Sequence, residues 1–341
     1  MIDFRSDTVT RPTTEMLKAM TQAKTGDDVF AEDPTVNRFQ ERMAGMFGFE
    51  AALFVPSGTM GNQLCVNLLT NPGEEIIIDK TGHIFNYETG AASHLSSVQL
   101  YPLEGDRGKL TPELIEPAIR TKNEWDPITS VIAVENTTNK GGGACYSEKE
   151  LTDIRDLADK HELFVHLDGA RIWNAMEASG TESSFFGTVA DTMSICFSKG
   201  LGAPVGSMIL SDADKIKKAR RLRKMWGGGM RQIGLLAAAA EYAVDHHRQL
   251  LTTDHERAKK FARAVDQSPH FKCNVDRTES NIVLFDTIEG TAAEWVKRFS
   301  EEGIGFVPFG HKTIRATFHF QITEEQFSQL LQTISNLPTP D

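Results

Sequence analysis

Leu163-Phe164-Val165-His166-Leu167-Asp168-Gly169-Ala170-Arg171 is a short apolar run closed by a carboxylate and a glycine. Buried strands of a mostly parallel sheet read this way, and the two-residue period puts His166 and Asp168 on one face. Working outward, the same form recurs at Gly73 to Asp79, Ser130 to Asn136 and Thr192 to Ser198. Between the runs, Glu148 to His161 and Thr111 to Lys122 carry apolar residues at helical spacing and predict crossover helices. The class is α/β. Ligands of such sheets collect outside the carboxyl ends of the strands, so the weight falls on Asp79 to His83, Glu135-Asn136, Asp168 to Arg171 and Ser198-Lys199.

An alanine-rich helix is expected around Leu235 to Val244, and beyond it the pattern changes. Asn281 to Phe285 and Thr313 to Phe320 alternate like half-exposed strands, which predicts a large domain over 1–249, including the N-terminal segment, and a smaller α+β domain over 250–341. A chain of 341 residues has ample length for both. Its net charge of −11 repels polyanions and argues against nucleic acid as partner. No segment approaches the ~20 apolar residues of a membrane span, and Met1 to Asp7 lacks an apolar leader. Cys65, Cys145, Cys196 and Cys273 are scattered without a Cys-x-x-Cys pair, so neither a disulfide framework nor a metal site is expected, and the location expected is cytoplasmic.

The only Gly-Lys pair, Gly108-Lys109, lacks the Ser or Thr of a P-loop, and no Gly-x-Gly-x-x-Gly opens an early helix. Pro56-Ser57-Gly58-Thr59-Met60-Gly61-Asn62 instead follows an apolar run and precedes a helical stretch, where free backbone amides bind phosphate. By itself such a segment is more often an ordinary helix cap, and Asp168 by itself more often caps the next helix. Lys199 closes an apolar run and is followed by Gly200-Leu201-Gly202, a setting in which a lysine can form a Schiff base. Together, a phosphate cradle, an acidic partner and a strand-end lysine are what pyridoxal phosphate requires: anchoring, an electron sink and a tether.

With these residues in place, the sequence resembles the low-specificity L-threonine aldolases of pyridoxal-phosphate fold type I, the aspartate aminotransferase-like group, over nearly its whole length. The match rests on Asp3 to Thr10, Gly26 to Val29, Glu32 to Asn37, the Ser57-Gly58-Thr59 cradle, His83, His166 to Arg171 and Ser198 to Leu201. The resemblance implies a seven-stranded, mostly parallel sheet and a retro-aldol cleavage of L-threonine or L-allo-threonine to glycine and acetaldehyde. A phenylserine aldolase, a β-eliminating lyase and a racemase are the alternatives on the same scaffold. The resemblance makes Lys199 the cofactor's tether, Asp168 the partner of its ring nitrogen, His83 the stacked imidazole, and Gly58 and Thr59 the phosphate ligands. Ser6, Arg171 and Arg315 would grip the substrate carboxylate, with Tyr87 and Thr138 also near the substrate. For Arg315 an exposed strand position is the competing reading. Glu88, a carboxylate in the loop of His83, is the candidate acceptor of the β-hydroxyl proton. Lys224 and Arg231 would reach the cofactor phosphate of a neighbouring subunit in a homotetramer, a dimer of dimers. Two positions depart from the pattern: Thr138, where many relatives carry His, and Phe30, where Tyr is common.

Overall fold

The computed structural model describes residues 1–337; positions 338–341, the end of the expected 250–341 domain, lie outside the described residues. The large sheet contains β1 (Ala51–Val55), β2 (Glu75–Asp79), β3 (Gln99–Leu103), β4 (Thr129–Glu135), β5 (Phe164–Gly169), β6 (Thr192–Cys196) and β7 (Ser207–Ser211). Their spatial order is β1-β7-β6-β5-β4-β2-β3, with β7 antiparallel to both neighbours and the other pairings parallel. The four strand runs expected from sequence are β2, β4, β5 and β6, with ends that differ by a residue or two. Helix Glu148–Lys160 forms as expected, opened by a capping box between Ser147 and Glu150. The alanine-rich helix Gly234–His246 is buried against the large core, where small side chains permit close approach.

Thr111 to Lys122 is not a crossover helix. It forms one helical turn, Pro112–Ile115, and a 3-10 turn, Glu116–Ala118. Pro117 lacks the amide proton that a continuing helix needs, and its ring crowds the preceding turn.

The second sheet contains β8 (Phe271–Lys272), β9 (Ile282–Thr287), β10 (Val307–Pro308) and β11 (Thr313–Thr317), antiparallel in the order β10-β11-β9-β8. Helices Leu251–Asp266, Ala292–Glu301 and Glu324–Ser335 cover it. The first residues of the chain belong with this core. Ile2 and Phe4 are buried in it, Ile2–Asp3 pairs in parallel with Ile304–Gly305, and Thr317 N donates to Phe4 O at 2.8 Å. Along helix Leu251–Asp266 the chain changes cores, since Leu251 packs in the large one and Ala258 in the small one.

A clasp joins the two units. Arg107 donates to Gly141 O at 3.0 Å and to Arg277 O at 2.6 Å and pairs with Glu279, whose second oxygen accepts from Cys145 N at 2.9 Å. The loop from Thr138 to Cys145 is thereby fixed to the small unit.

Asp254, on the helix that spans both cores, is fully buried, and neither carboxylate oxygen has a hydrogen-bond partner. Burial, helped by the charge of Asp7 and opposed by Arg257, pushes its pKa up to about 8. The folded state therefore keeps a proton that the unfolded chain releases near pH 4. Stability is fully present below that pH and falls as pH rises towards 8. Asp254→Asn is expected to be more stable than the native protein at pH 8 by roughly 2 kcal/mol. The gain should shrink as pH approaches 5, which denaturant melts at the two pH values would read.

Candidate active site

The site is built on the carboxyl ends of β4, β5 and β6, the start of helix Gly58–Leu69 after β1, and the segment Ser6 to Thr10. Period and register place its charges. His166 and Asp168 alternate onto one face of β5, and both reach the helix. Asn62 Nδ2 donates to Asp168 Oδ2 at 2.8 Å, and His166 Nε2 is 3.2 Å from Asn62 Oδ1. Ala170 N donates to Asp168 Oδ1 at 3.1 Å. Burial lowers the His166 pKa to about 4, so this imidazole is neutral at pH 7 and serves as a support behind Asp168.

Glu135 sits beside Asp168 in register on β4, and its oxygens accept from His83 N at 3.2 Å and Asn139 N at 3.1 Å. Burial and the adjacent Asp168 charge push its pKa up to about 7. Sequence reading had placed Glu135 at a strand end but not among the site residues.

His83 is the partly exposed imidazole of the group. Its Nδ1 is 2.8 Å from Glu88 Oε1, an engagement that leaves Nε2 for the site. Burial works against the charged ring, but the Glu88 hydrogen bond and the fields of Asp168 and Glu88 outweigh it and raise the pKa. Glu88 also accepts from Asn62 Nδ2 at 2.8 Å and from Gln63 Nε2 at 2.6 Å. Its side chain has no exposed surface. The expectation that Glu88 takes a substrate proton does not fit this placement, because both oxygens are engaged beneath His83; its position is that of a group that orients the imidazole. The donor atoms of His83, Glu88 and Asp168 lie within 4.8 Å of one another, and the Asn62 amide spans the two carboxylates.

Arg171 and Arg315 approach from different units. Arg171 holds Asp7 with two bonds of 2.8 Å, one from Nε and one from Nη2, and Asn281 Nδ2 adds a third to Asp7 at 3.3 Å. Asp7 is fully buried; burial alone would raise its pKa, but the Arg171 charge and bonds bring it down to about 2. Ser6 caps the short turn Asp7–Val9, accepting from Thr8 N at 3.2 Å, and so fixes the angle at which Asp7 meets Arg171. Arg315 donates to Asn139 Oδ1 at 2.8 Å and to Arg5 O at 2.9 Å, while its buried Nε has no partner. The exposed-strand reading of Arg315 is thus set aside, since only 8% of the residue is accessible. Burial and then the Arg171 charge lower its pKa to about 10. Asp7, Asn139, Asn62 and Gln63 carried no local signal, as their contacts join residues far apart in the chain.

Lys199 is held by its backbone: its carbonyl accepts from Thr10 Oγ1 at 2.9 Å and Gly202 N at 2.8 Å. Among the described residues no hydrogen bond uses its Nζ, and its charge is felt by Asp7, His83 and Glu135. At the head of helix Gly58–Leu69, Ser57 Oγ accepts from Met60 N at 3.2 Å, and none of the described residues takes the amides of Gly58 and Thr59. The glycines here answer to packing: a Cβ at Gly58 would stand 2.8 Å from Cys196 Sγ, and one at Gly61 2.5 Å from Ser194 Oγ. They let the helix lie close on β6.

The remaining candidates lie further out. Tyr87 is 45% exposed, with its ring 5.6 Å from that of His83 and 5.6 Å below Lys140 Nζ. Thr138 is buried against Gly108 with an unpartnered hydroxyl. Phe30 is exposed. Arg231 donates to Asp27 Oδ2 at 2.8 Å, Lys224 is exposed, and Gly228 beside them packs on Met60 in the first turn of the phosphate helix.

This donor set fits pyridoxal phosphate. Unclaimed helix amides suit a phosphate, the Asp168 carboxylate suits a ring nitrogen, the half-exposed His83 suits an aromatic face, and the free Lys199 Nζ suits an aldehyde.

Comparison with known proteins agrees with that chemistry. The family model described as beta-eliminating lyase matches residues 3–288. Low-specificity L-threonine aldolase 1 of Arabidopsis thaliana is 41% identical over 329 residues, covering 94% of this chain and 92% of the relative. Alanine racemase TOXG of Cochliobolus carbonum is 41% identical over 245 residues, covering 71% and 62%. Among solved structures, Leishmania major threonine aldolase superposes with a TM-score of 0.84 at 21% identity, covering 99% of both chains. The chain therefore belongs to the beta-eliminating lyase family, where it groups with the low-specificity L-threonine aldolases.

Proposed function

We infer that this protein is a pyridoxal-phosphate-dependent aldolase that cleaves L-threonine, L-allo-threonine or both to glycine and acetaldehyde. The observation that carries the reading is the pairing of a tether and ring-nitrogen partner, Lys199 and Asp168, with two buried guanidinium groups: Arg171, which is paired with the Asp7 carboxylate, and Arg315, which among the described residues bonds only the neutral Asn139 and Arg5 oxygens. One buried positive charge is left for a substrate carboxylate.

When bound, pyridoxal phosphate supplies the sink for the electron pair released as Cα–Cβ breaks. Gly58 and Thr59 hold its phosphate, Asp168 keeps a proton on the ring nitrogen, and His83, oriented by Glu88, covers the ring face. Lys199 Nζ, free of hydrogen bonds among the described residues, would tether the cofactor's aldehyde. Arg315, the Nη1 of Arg171 and Ser6 would fix the carboxylate and so the orientation of the bonds at Cα. Tyr87 lies at the mouth, where the aldehyde leaves. Lys224 and Arg231 extend to the cofactor phosphate of a second subunit, and the assembly is a homotetramer with shared sites. Four unbridged cysteines suit a reducing cytoplasmic location.

The test is product stoichiometry. L-threonine is expected to give glycine and acetaldehyde in equal amounts, measured by amino-acid analysis and aldehyde trapping. The similarity to an alanine racemase makes inversion at Cα the second reading; D-alanine from L-alanine, with no aldehyde from L-threonine, would replace the aldolase assignment.

A further inference from the structure

Asn139 stands between the two guanidinium groups of the carboxylate grip. Its Oδ1 accepts from Arg315 Nη1 at 2.8 Å and from Arg171 Nη1 at 3.4 Å, one arginine from each core. Its backbone N donates to Glu135, and its loop is tied down by the Arg107–Glu279 clasp, so the side chain is presented from a fixed base. Among the described residues its own Nδ2 donates to nothing. We propose that Asn139 is a placeholder for the substrate carboxylate: its amide oxygen occupies the acceptor position between Arg171 and Arg315, and the substrate displaces it.

The inference rests on the carboxylate grip described above and extends it. An amide oxygen satisfies two donors but brings no charge, and Arg315 Nε remains buried without a partner. A carboxylate offers two oxygens and a full negative charge, so it outcompetes the amide at the same donors. Aspartate at this position would not give way so readily. It would form its own charge-assisted bonds to both arginines, would have to be expelled against that attraction, and would then repel the incoming carboxylate.

The experiment uses the cofactor-loaded enzyme and two variants, Asn139→Asp and Asn139→Ala. Turnover of L-threonine is measured, together with the binding of glycine and of 2-aminoethanol, an amine without a carboxylate, read from the cofactor absorbance. Asn139→Asp is expected to raise the KM for L-threonine and the Kd for glycine by about 100-fold. Binding of 2-aminoethanol should stay within about threefold of the native value, because the change opposes only a carboxylate. Asn139→Ala should bind glycine as tightly as the native enzyme or more tightly, since nothing then competes for the two arginines. If the two variants weaken glycine alike, or if kcat falls as far as KM rises, Asn139 has a structural role and the placeholder is overturned. Should Asn139→Asp fail to hold the cofactor, the alanine variant decides, with glycine binding loosened more than about 30-fold counting against the proposal. A native enzyme that binds glycine no better than 2-aminoethanol would overturn the carboxylate grip itself, a separate failure.

Discussion

Lys199→Ala is expected to lose glycine and acetaldehyde formation by roughly 10⁴- to 10⁶-fold, the scale of removing a covalent nucleophile. The loss should be chemical rather than structural. The bonds that fix this residue run through its carbonyl, to Thr10 and Gly202, and survive truncation of the side chain. Circular dichroism and thermal melts should therefore match the native protein, while the absorbance of covalently held cofactor disappears. Removal of the ammonium also takes away one of the charges holding the Asp7 pKa down, and one that opposes protonation of His83. Substantial turnover by the alanine variant would show that another amine forms the tether.

Asp168→Asn is expected to lower kcat by about 10³-fold, with a smaller effect on substrate affinity. Asp168 uses one oxygen to accept from Asn62 and the other to accept from Ala170 N. Asparagine keeps one acceptor and turns a donor on the other partner, and it no longer holds a proton on the ring nitrogen. The pH profile should move as well. Burial and Asp168 together keep the Glu135 pKa near 7, so without Asp168 it falls, and the His83 pKa falls too because one of the charges supporting its protonated form is gone. A profile of kcat/KM against pH displaced to lower pH, with the rate loss, is the expected pair of results. An unshifted profile at near-native kcat would remove Asp168 from the chemistry.

Much of this arrangement was legible in the sequence where the signal was local. The apolar runs ending in Asp79, Glu135, Asp168 and Ser198 gave the parallel strands, and the two-residue period put His166 and Asp168 together against one helix. Local pattern failed at Thr111 to Lys122, where helical spacing was present but Pro117 broke the hydrogen bonding. It is also silent on the packing of the cradle, because nothing in Gly58-Thr59-Met60-Gly61 reveals that Cys196 and Ser194 lie underneath. Glu88 is found by type and proximity, but its engagement by Asn62 and Gln63, from another element, has no local signal. Asp7 and Asn139 were legible only once Arg171 and Arg315, distant in sequence, had been brought to them.

The placement of Ile2 and Phe4 in the small core bears on how the protein is made. Chains fold from the N-terminus as they leave the ribosome. The large core draws on residues from Met16 to Leu251 and can close while the rest is still being synthesised. The opening strand cannot, because its partners Ile304 and Gly305 and the Thr317 amide come more than three hundred residues later. Ile2 to Phe4 are thus seated only after residues 304–317 have been made. Ser6 and Asp7 follow that strand directly and Arg315 lies two residues before Thr317, so the two sides of the carboxylate grip arrive together. A nascent chain with its large core already folded, and able to receive cofactor, has no organised grip for an amino acid until residues 315–317 have been made.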